Sequence, residues 1–172
     1  MDKPPDFRQR SLPRAITDAA RGFWGVWLTE RSMRIHMVLG SVVVLAGIVT
    51  GLKPAEWVAV GSAIAAVVFA EIFNTAVEAA VDLASPRYHP LAGRAKDTAA
   101  AAVFTAALYA IGVGLVVFGS HHALWQDLPA LLREAWHTHR LAAEVMLTVT
   151  AALAAAGSLV PRGRWPQGPR PR

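Results

Sequence analysis

The chain has 172 residues, of which 54% are hydrophobic and 17% charged, and its net charge is +5. With a mean hydropathy of +0.36, it has too little polar surface to coat a water-soluble domain of this length, and a single-domain integral membrane protein is expected. Cysteine is absent, which excludes disulfides and thiolate metal sites. No nucleic-acid motif is present, so the positive charge points to an anionic membrane surface or a phosphate-bearing ligand.

The N-terminal stretch "MDKPPDFRQRSLPR" is polar and basic with no apolar run behind it, so no cleavable signal peptide is expected. Residues 1–12 read as a disordered basic segment. From Pro13 to Leu28, Ile16, Ala20, Phe23 and Trp27 recur at helical spacing, while Arg14, Asp18 and Arg21 lie towards other faces. This pattern predicts an amphipathic helix in the headgroup plane, with Trp24 and Trp27 as interface anchors. Four apolar segments follow: Ile35 to Leu52, Ala55 to Ala84, Thr98 to Phe118 and Leu141 to Val160. About 20 residues cross a bilayer as a helix. The fourth segment is alanine-rich and contains Glu144, so a buried or hairpin helix is its alternative reading. Between the third and fourth segments, residues 120–140 form an outer loop, in which "ALWQDLPALLREAW" reads as a second interfacial helix. His121, His122, His137 and His139 in this loop read as solvated histidines. Pro161 stops the last helix, and the Pro- and Arg-rich residues 161–172 read as a disordered tail.

The basic residues test this map. With the N-terminus inside and four spans, fourteen of the seventeen lysines and arginines face the cytoplasm, and Lys53, Arg133 and Arg140 face out. This is the asymmetry that the positive-inside rule requires. A three-span chain would put the four arginines of the tail outside. The fold expected is therefore an all-α polytopic transmembrane bundle with an N-terminal surface helix, three core spans and a fourth C-terminal span. Both termini are expected in the cytoplasm.

The second segment ends in "AEIFNTAVEAAVD", which carries three carboxylates into an apolar helix. At about 100° per residue, Asn74, Glu78 and Asp82 fall within about 80° of one another and of Glu71, with Thr75 on the same side. Such a stripe must face a partner helix or a watery cleft, because a lipid-facing charge is costly. The loop after it holds Arg87, Tyr88, His89 and Arg94, and Lys96 and Asp97 then open the third apolar segment. Carboxylates, an asparagine and a cationic loop at a cytoplasmic surface suit Mg²⁺ and a phosphate ligand, and ATP is present on that side. No Walker A loop is found. On chemistry alone, the stripe is also compatible with an ion or proton path, Glu30 with an ordinary interfacial charge and Lys96 with a snorkelling lysine.

"EIFNTAVEAAVD", followed by "YHPLAGRAKDTAAAAV", resembles the prokaryotic diacylglycerol kinase family of small membrane lipid kinases, which includes undecaprenol kinases. Every fixed position of that pattern is filled, and the upstream "TERSMRIH" resembles the family's glutamate-plus-FRIH segment. The resemblance covers roughly Pro13 to Phe118, so residues 13–119 are expected to form the kinase membrane domain. It implies a homotrimer of three-span protomers in the bacterial inner membrane, with active sites shared between protomers. There MgATP phosphorylates a lipid alcohol, diacylglycerol or undecaprenol. Glu71 then corresponds to the catalytic base, with Asn74 lining the site and Lys96 on the phosphates, where it stabilises the transferred group. Glu30 and Glu78 correspond to metal-binding carboxylates, and Asp82, Arg87, Tyr88, His89, Lys96 and Asp97 to residues around the nucleotide. Arg14, Trp27 and Arg34 fall near lipid- or nucleotide-contacting positions. "RIH" with His36 and "HPLAGRAKD" lean towards the undecaprenol kinase branch, since the other branch more often has a glutamate at His36. Two departures stand out: Asp18 occupies a place where an aromatic is common, and everything beyond about Gly119 lies outside the resemblance.

Overall fold

Prolines start three of the helices and a glycine ends another. In the computed structural model, residues 11–87, 89–121 and 126–159 are described, with side chains up to Ala156. The helices are α1 (Leu12–Thr29), α2 (Arg31–Thr50), α3 (Pro54–Ala84), α4 (Pro90–Gly119) and α5 (Leu128–Leu159). No strand occurs among the described residues. The basic segment up to Arg10, Tyr88, residues 122–125 with His122 and the start of the expected outer helix, Val160 and the tail 161–172 lie outside them.

Each boundary has a local cause. Pro13, Pro54 and Pro90 sit in the first turns of α1, α3 and α4, where the missing N–H removes no helical bond. Gly51 closes α2 in the left-handed region at φ 65°, and the Leu52 amide returns to the Gly47 carbonyl at 3.1 Å. The Glu56 carboxylate accepts the Lys53 amide at 2.7 Å and fixes the start of α3. Ser85 and Pro86 follow the last turn of α3, which makes it one continuous helix of 31 residues.

Four helices, α2 to α5, are long and apolar enough to cross a membrane. The most extensive helix packing joins α3 to α4 and α2 to α5, with a smaller contact between α2 and α3. Near the start of α2, Val26, Trp27 and Met33 form a buried cluster packed by Phe23, Met37, Val68 and Ile72. At the opposite end of α2, Leu52, Val60 and Val117 form another, with Trp57 and Phe118 against it. Gly47 permits this second cluster, because a Cβ there would meet the Trp57 ring at 2.7 Å.

Two features depart from the expected map. The outer interfacial segment and the fourth span are one helix, α5, in which only His139 leaves helical geometry (φ −125°, ψ 26°). The expected boundary near residue 140 therefore appears as a kink. Leu153 and Ala156, near the end of α5, pack on the Val26/Trp27/Met33 cluster. The end of α5 thus lies beside the start of α2, at the same end of the bundle as α1. In addition, Trp27 is a core residue, 4% exposed, whereas Trp24 is 55% exposed and lies against it, tilted by 33° with ring centroids 4.8 Å apart. Of the two expected interface anchors, only Trp24 presents an open face.

Candidate active site

The α1–α2 joint is a single residue, Glu30, whose backbone is extended (φ −93°, ψ 121°). The joint is stapled by Arg34, one turn into α2, whose Nη1 donates to the Leu28 carbonyl at 2.8 Å and the Trp27 carbonyl at 3.4 Å. These are carbonyls of the last turn of α1, where a cation is favoured. Arg34 is 8% exposed, and within one chain these bonds tie its guanidinium to the fold. The Glu30 carboxylate accepts from Thr29 Oγ1 at 3.2 Å.

Starting α2 directly after the joint turns Ser32 and His36 towards α3. Ser32 Oγ donates to Glu71 Oε2 at 2.8 Å, and His36 Nε2 lies 3.2 Å from Glu71 Oε1. Glu71 is 1% exposed. His36 is near Oε1 without being aligned to it, so Oε1 is left without a hydrogen bond. The carboxylate is thus withdrawn from water with one oxygen hydrogen-bonded and the other buried without an aligned bond. Ser32 and His36 were not singled out as site residues from the sequence. Their i, i+4 spacing puts them on one helix face, but only the fold shows that this face meets Glu71.

Away from this buried end, the stripe becomes progressively wetter. Asn74 Nδ2 donates to Glu78 Oε1 at 2.7 Å, and both residues are half-buried. Asn74 Oδ1 is buried and unbonded. Asp82 is exposed and accepts from Lys96 Nζ of α4 at 2.6 Å. Eleven residues of α3 separate Glu71 from Asp82, about 16 Å of axis. Within one chain, Lys96 therefore sits at the far end of the stripe from Glu71. Asp97 is exposed next to Lys96. His89 caps α4, its Nδ1 accepting the Leu91 amide at 3.2 Å. The Arg87 carbonyl accepts from Ser85 Oγ at 2.9 Å, and its side chain is exposed. Arg14 is exposed in the first turns of α1. Among the described residues, no group of three or more histidine, aspartate or glutamate side chains converges to hold a metal ion.

On the other side of Glu71 the surroundings are apolar. A groove of about 320 Å³ runs between α2, α3 and α4, lined by His36, Leu39, Val43, Val67, Ile111 and Phe118 among others. His36 is the residue that joins this groove to the carboxylate. The site thus has an apolar channel at one end, a single buried carboxylate in the middle and a solvated acidic and basic rim at the other end.

Comparison with known proteins supplies the family. Residues 17–118 match the family model for prokaryotic diacylglycerol kinase. The chain is 35% identical over 105 residues to an undecaprenol kinase of Bacillus subtilis, covering 61% of this chain and 85% of that protein. It is 32% identical over 101 residues to a diacylglycerol kinase of Escherichia coli, covering 59% and 83%. No solved structure matches it.

Proposed function

The chain belongs to the prokaryotic diacylglycerol kinase family, and on that premise we propose that it is a multi-pass inner-membrane kinase. It transfers the γ-phosphate of ATP to the hydroxyl of a lipid alcohol, diacylglycerol or undecaprenol. The observation that carries this reading is the junction of an apolar groove with a buried carboxylate, at the end of a stripe leading to water. A molecule with a hydrocarbon chain and a terminal hydroxyl fits that junction: the chain lies in the groove and the hydroxyl meets Glu71.

Glu71 accepts the hydroxyl proton as the lipid oxygen bonds to the γ-phosphorus. The bond from that phosphorus to its bridging oxygen breaks, and ADP leaves with the electron pair. Most of the protein's contribution is positioning and charge, as phosphoryl transfer requires. Glu78 and Glu30 would hold Mg²⁺. The donor set fits, because Mg²⁺ takes one or two carboxylates and shares phosphate oxygens with its nucleotide, and Glu78 is already oriented by Asn74. Bound there, Mg²⁺ supplies charge neutralisation on the phosphates. Lys96 attends the phosphates of the nucleotide, and Asp82 and Asp97, with Arg87, Tyr88 and His89 of the loop, lie around the rest of it. Arg14 remains available to a lipid headgroup. We further propose a homotrimer with shared sites, in which a second protomer brings further groups to the stripe.

An ion or proton path along the same stripe is disfavoured by what lies beyond Glu71. Val60, Ala63 and Val67 are buried there and the groove lining is apolar, so the polar face ends halfway along α3. The test is transfer of ³²P from ATP by purified protein in micelles containing diacylglycerol or undecaprenol. Label in one of the two extracted lipids supports the proposal and identifies the substrate. Labelled inorganic phosphate alone, with both lipids unlabelled, contradicts it.

A further inference from the structure

We propose that Ser32 and His36 divide the labour on the two oxygens of Glu71, an assignment that rests on Glu71 being the base. Ser32 is a positioning residue. By donating to Oε2 it fixes the carboxylate rotamer and occupies that oxygen. Oε1 is then the oxygen that takes the proton, consistent with its being buried and unbonded. His36 is a catalytic residue that holds the substrate. Its Nε2 is 3.2 Å from Oε1 without forming an aligned bond, and its ring also lines the groove. A lipid hydroxyl arriving along the groove meets both groups at once. It donates its proton to Oε1 and accepts a hydrogen bond from His36 Nε2–H on its oxygen. The remaining lone pair of that oxygen is directed at the incoming phosphorus. The proton passes to Glu71, the new oxygen–phosphorus bond forms, and ADP departs with the electrons of the broken bond.

Geometry favours this division over a simple His–Glu ion pair. An ion pair made for stability would close into a hydrogen bond on Oε1, as Ser32 does on Oε2 at 2.8 Å. Oε1 of Glu71 is instead buried without an aligned hydrogen bond, 3.2 Å from the nitrogen of a ring that lines the groove, and an unmade buried hydrogen bond is costly unless a ligand completes it.

The experiment compares kcat and KM for Ser32→Ala, Ser32→Thr, His36→Leu and His36→Gln, alone and with Glu71→Gln, in lipid micelles. Hydrogen bonds to charged groups and reacting atoms set the expected size, about ten-fold or more in kcat for Ser32→Ala and His36→Leu, with KM for ATP unchanged. Ser32→Thr keeps the hydroxyl and His36→Gln keeps an N–H donor, so both are expected to stay within about three-fold of wild type. In the Glu71→Gln background, Ser32→Ala is expected to cost nothing further, because it acts through that carboxylate. Wild-type kcat in Ser32→Ala or His36→Leu removes that residue from its role. A ten-fold fall in well-folded Ser32→Thr or His36→Gln does the same, which keeps the test decisive if the larger changes fail to fold. A Ser32→Ala loss that persists in full beside Glu71→Gln marks a structural effect and overturns the assignment. Failure of the underlying reading is separate and shows in one arm: Glu71→Gln alone retaining turnover.

Discussion

At the scale of single residues, hydrogen bonding rather than burial separates groups that work for the fold from groups left for a ligand. Arg34 and Glu71 are both buried, and both lie in segments resembling a kinase. The two bonds of Arg34 go to backbone carbonyls of α1, whereas one oxygen of Glu71 lies 3.2 Å from His36 Nε2 without an aligned hydrogen bond. Arg34→Met is therefore expected to lower the stability of the detergent-solubilised protein by about 1–3 kcal/mol, since two end carbonyls of α1 lose their donor. The check is the thermal midpoint, and an unchanged midpoint would return Arg34 to the list of ligand contacts. Glu78 and Glu30 make the opposite case. Glu78→Ala and Glu30→Ala are expected to raise the Mg²⁺ concentration for half-maximal rate, because Mg²⁺ loses a hard oxygen ligand. Identical Mg²⁺ titrations in both variants would place the metal elsewhere.

At the scale of elements, contact depends on small residues and on which helix faces meet. Gly47→Ala puts a methyl within 2.7 Å of the rigid Trp57 ring and 2.9 Å of Leu52. Overpacking of this kind costs about 1–3 kcal/mol, more than the helix propensity gained by alanine, about 1 kcal/mol. The expected result is a lower midpoint for chemical or thermal unfolding, and a stabilised variant would show that α2 and α3 move apart without penalty. Much at this scale was legible in the sequence. The prolines and Gly51 mark helix ends, and the spacing of Glu71, Asn74, Glu78 and Asp82 shows one face. Other features were not legible, for physical reasons. The Ser32–Glu71 bond joins residues 39 apart in the chain, and helical periodicity does not say which face meets which. No proline or glycine separates Trp136 from Leu141, so one kinked helix and two helices share the same local sequence. Trp27 suits an interface as well as a core, and its cluster is closed by residues distant in sequence, Val68 and Ile72 of α3 and Leu153 and Ala156 of α5.

At the scale of the whole molecule, α5 is the part that the family match does not reach, since that match ends at residue 118. It packs on α2, and Glu144 is held by Arg140 at 2.9 Å, so its carboxylate has a partner on its own helix. The end of α5 lies beside the start of α2, which is where an even number of crossings would put it. A reporter fused after Arg172 is expected to register cytoplasm and one fused after Gly119 the outer side; the same side for both would mean that α5 does not cross. The central claim is that the whole bundle presents one buried carboxylate to a lipid hydroxyl and to ATP. Its most direct test is the rate of ³²P transfer from ATP to the lipid for Glu71→Gln against wild type, with nucleotide binding measured on the same samples. The account predicts a fall of at least about 10²-fold, the usual range for losing a general base, with ATP binding retained. Near wild-type transfer by Glu71→Gln would contradict it.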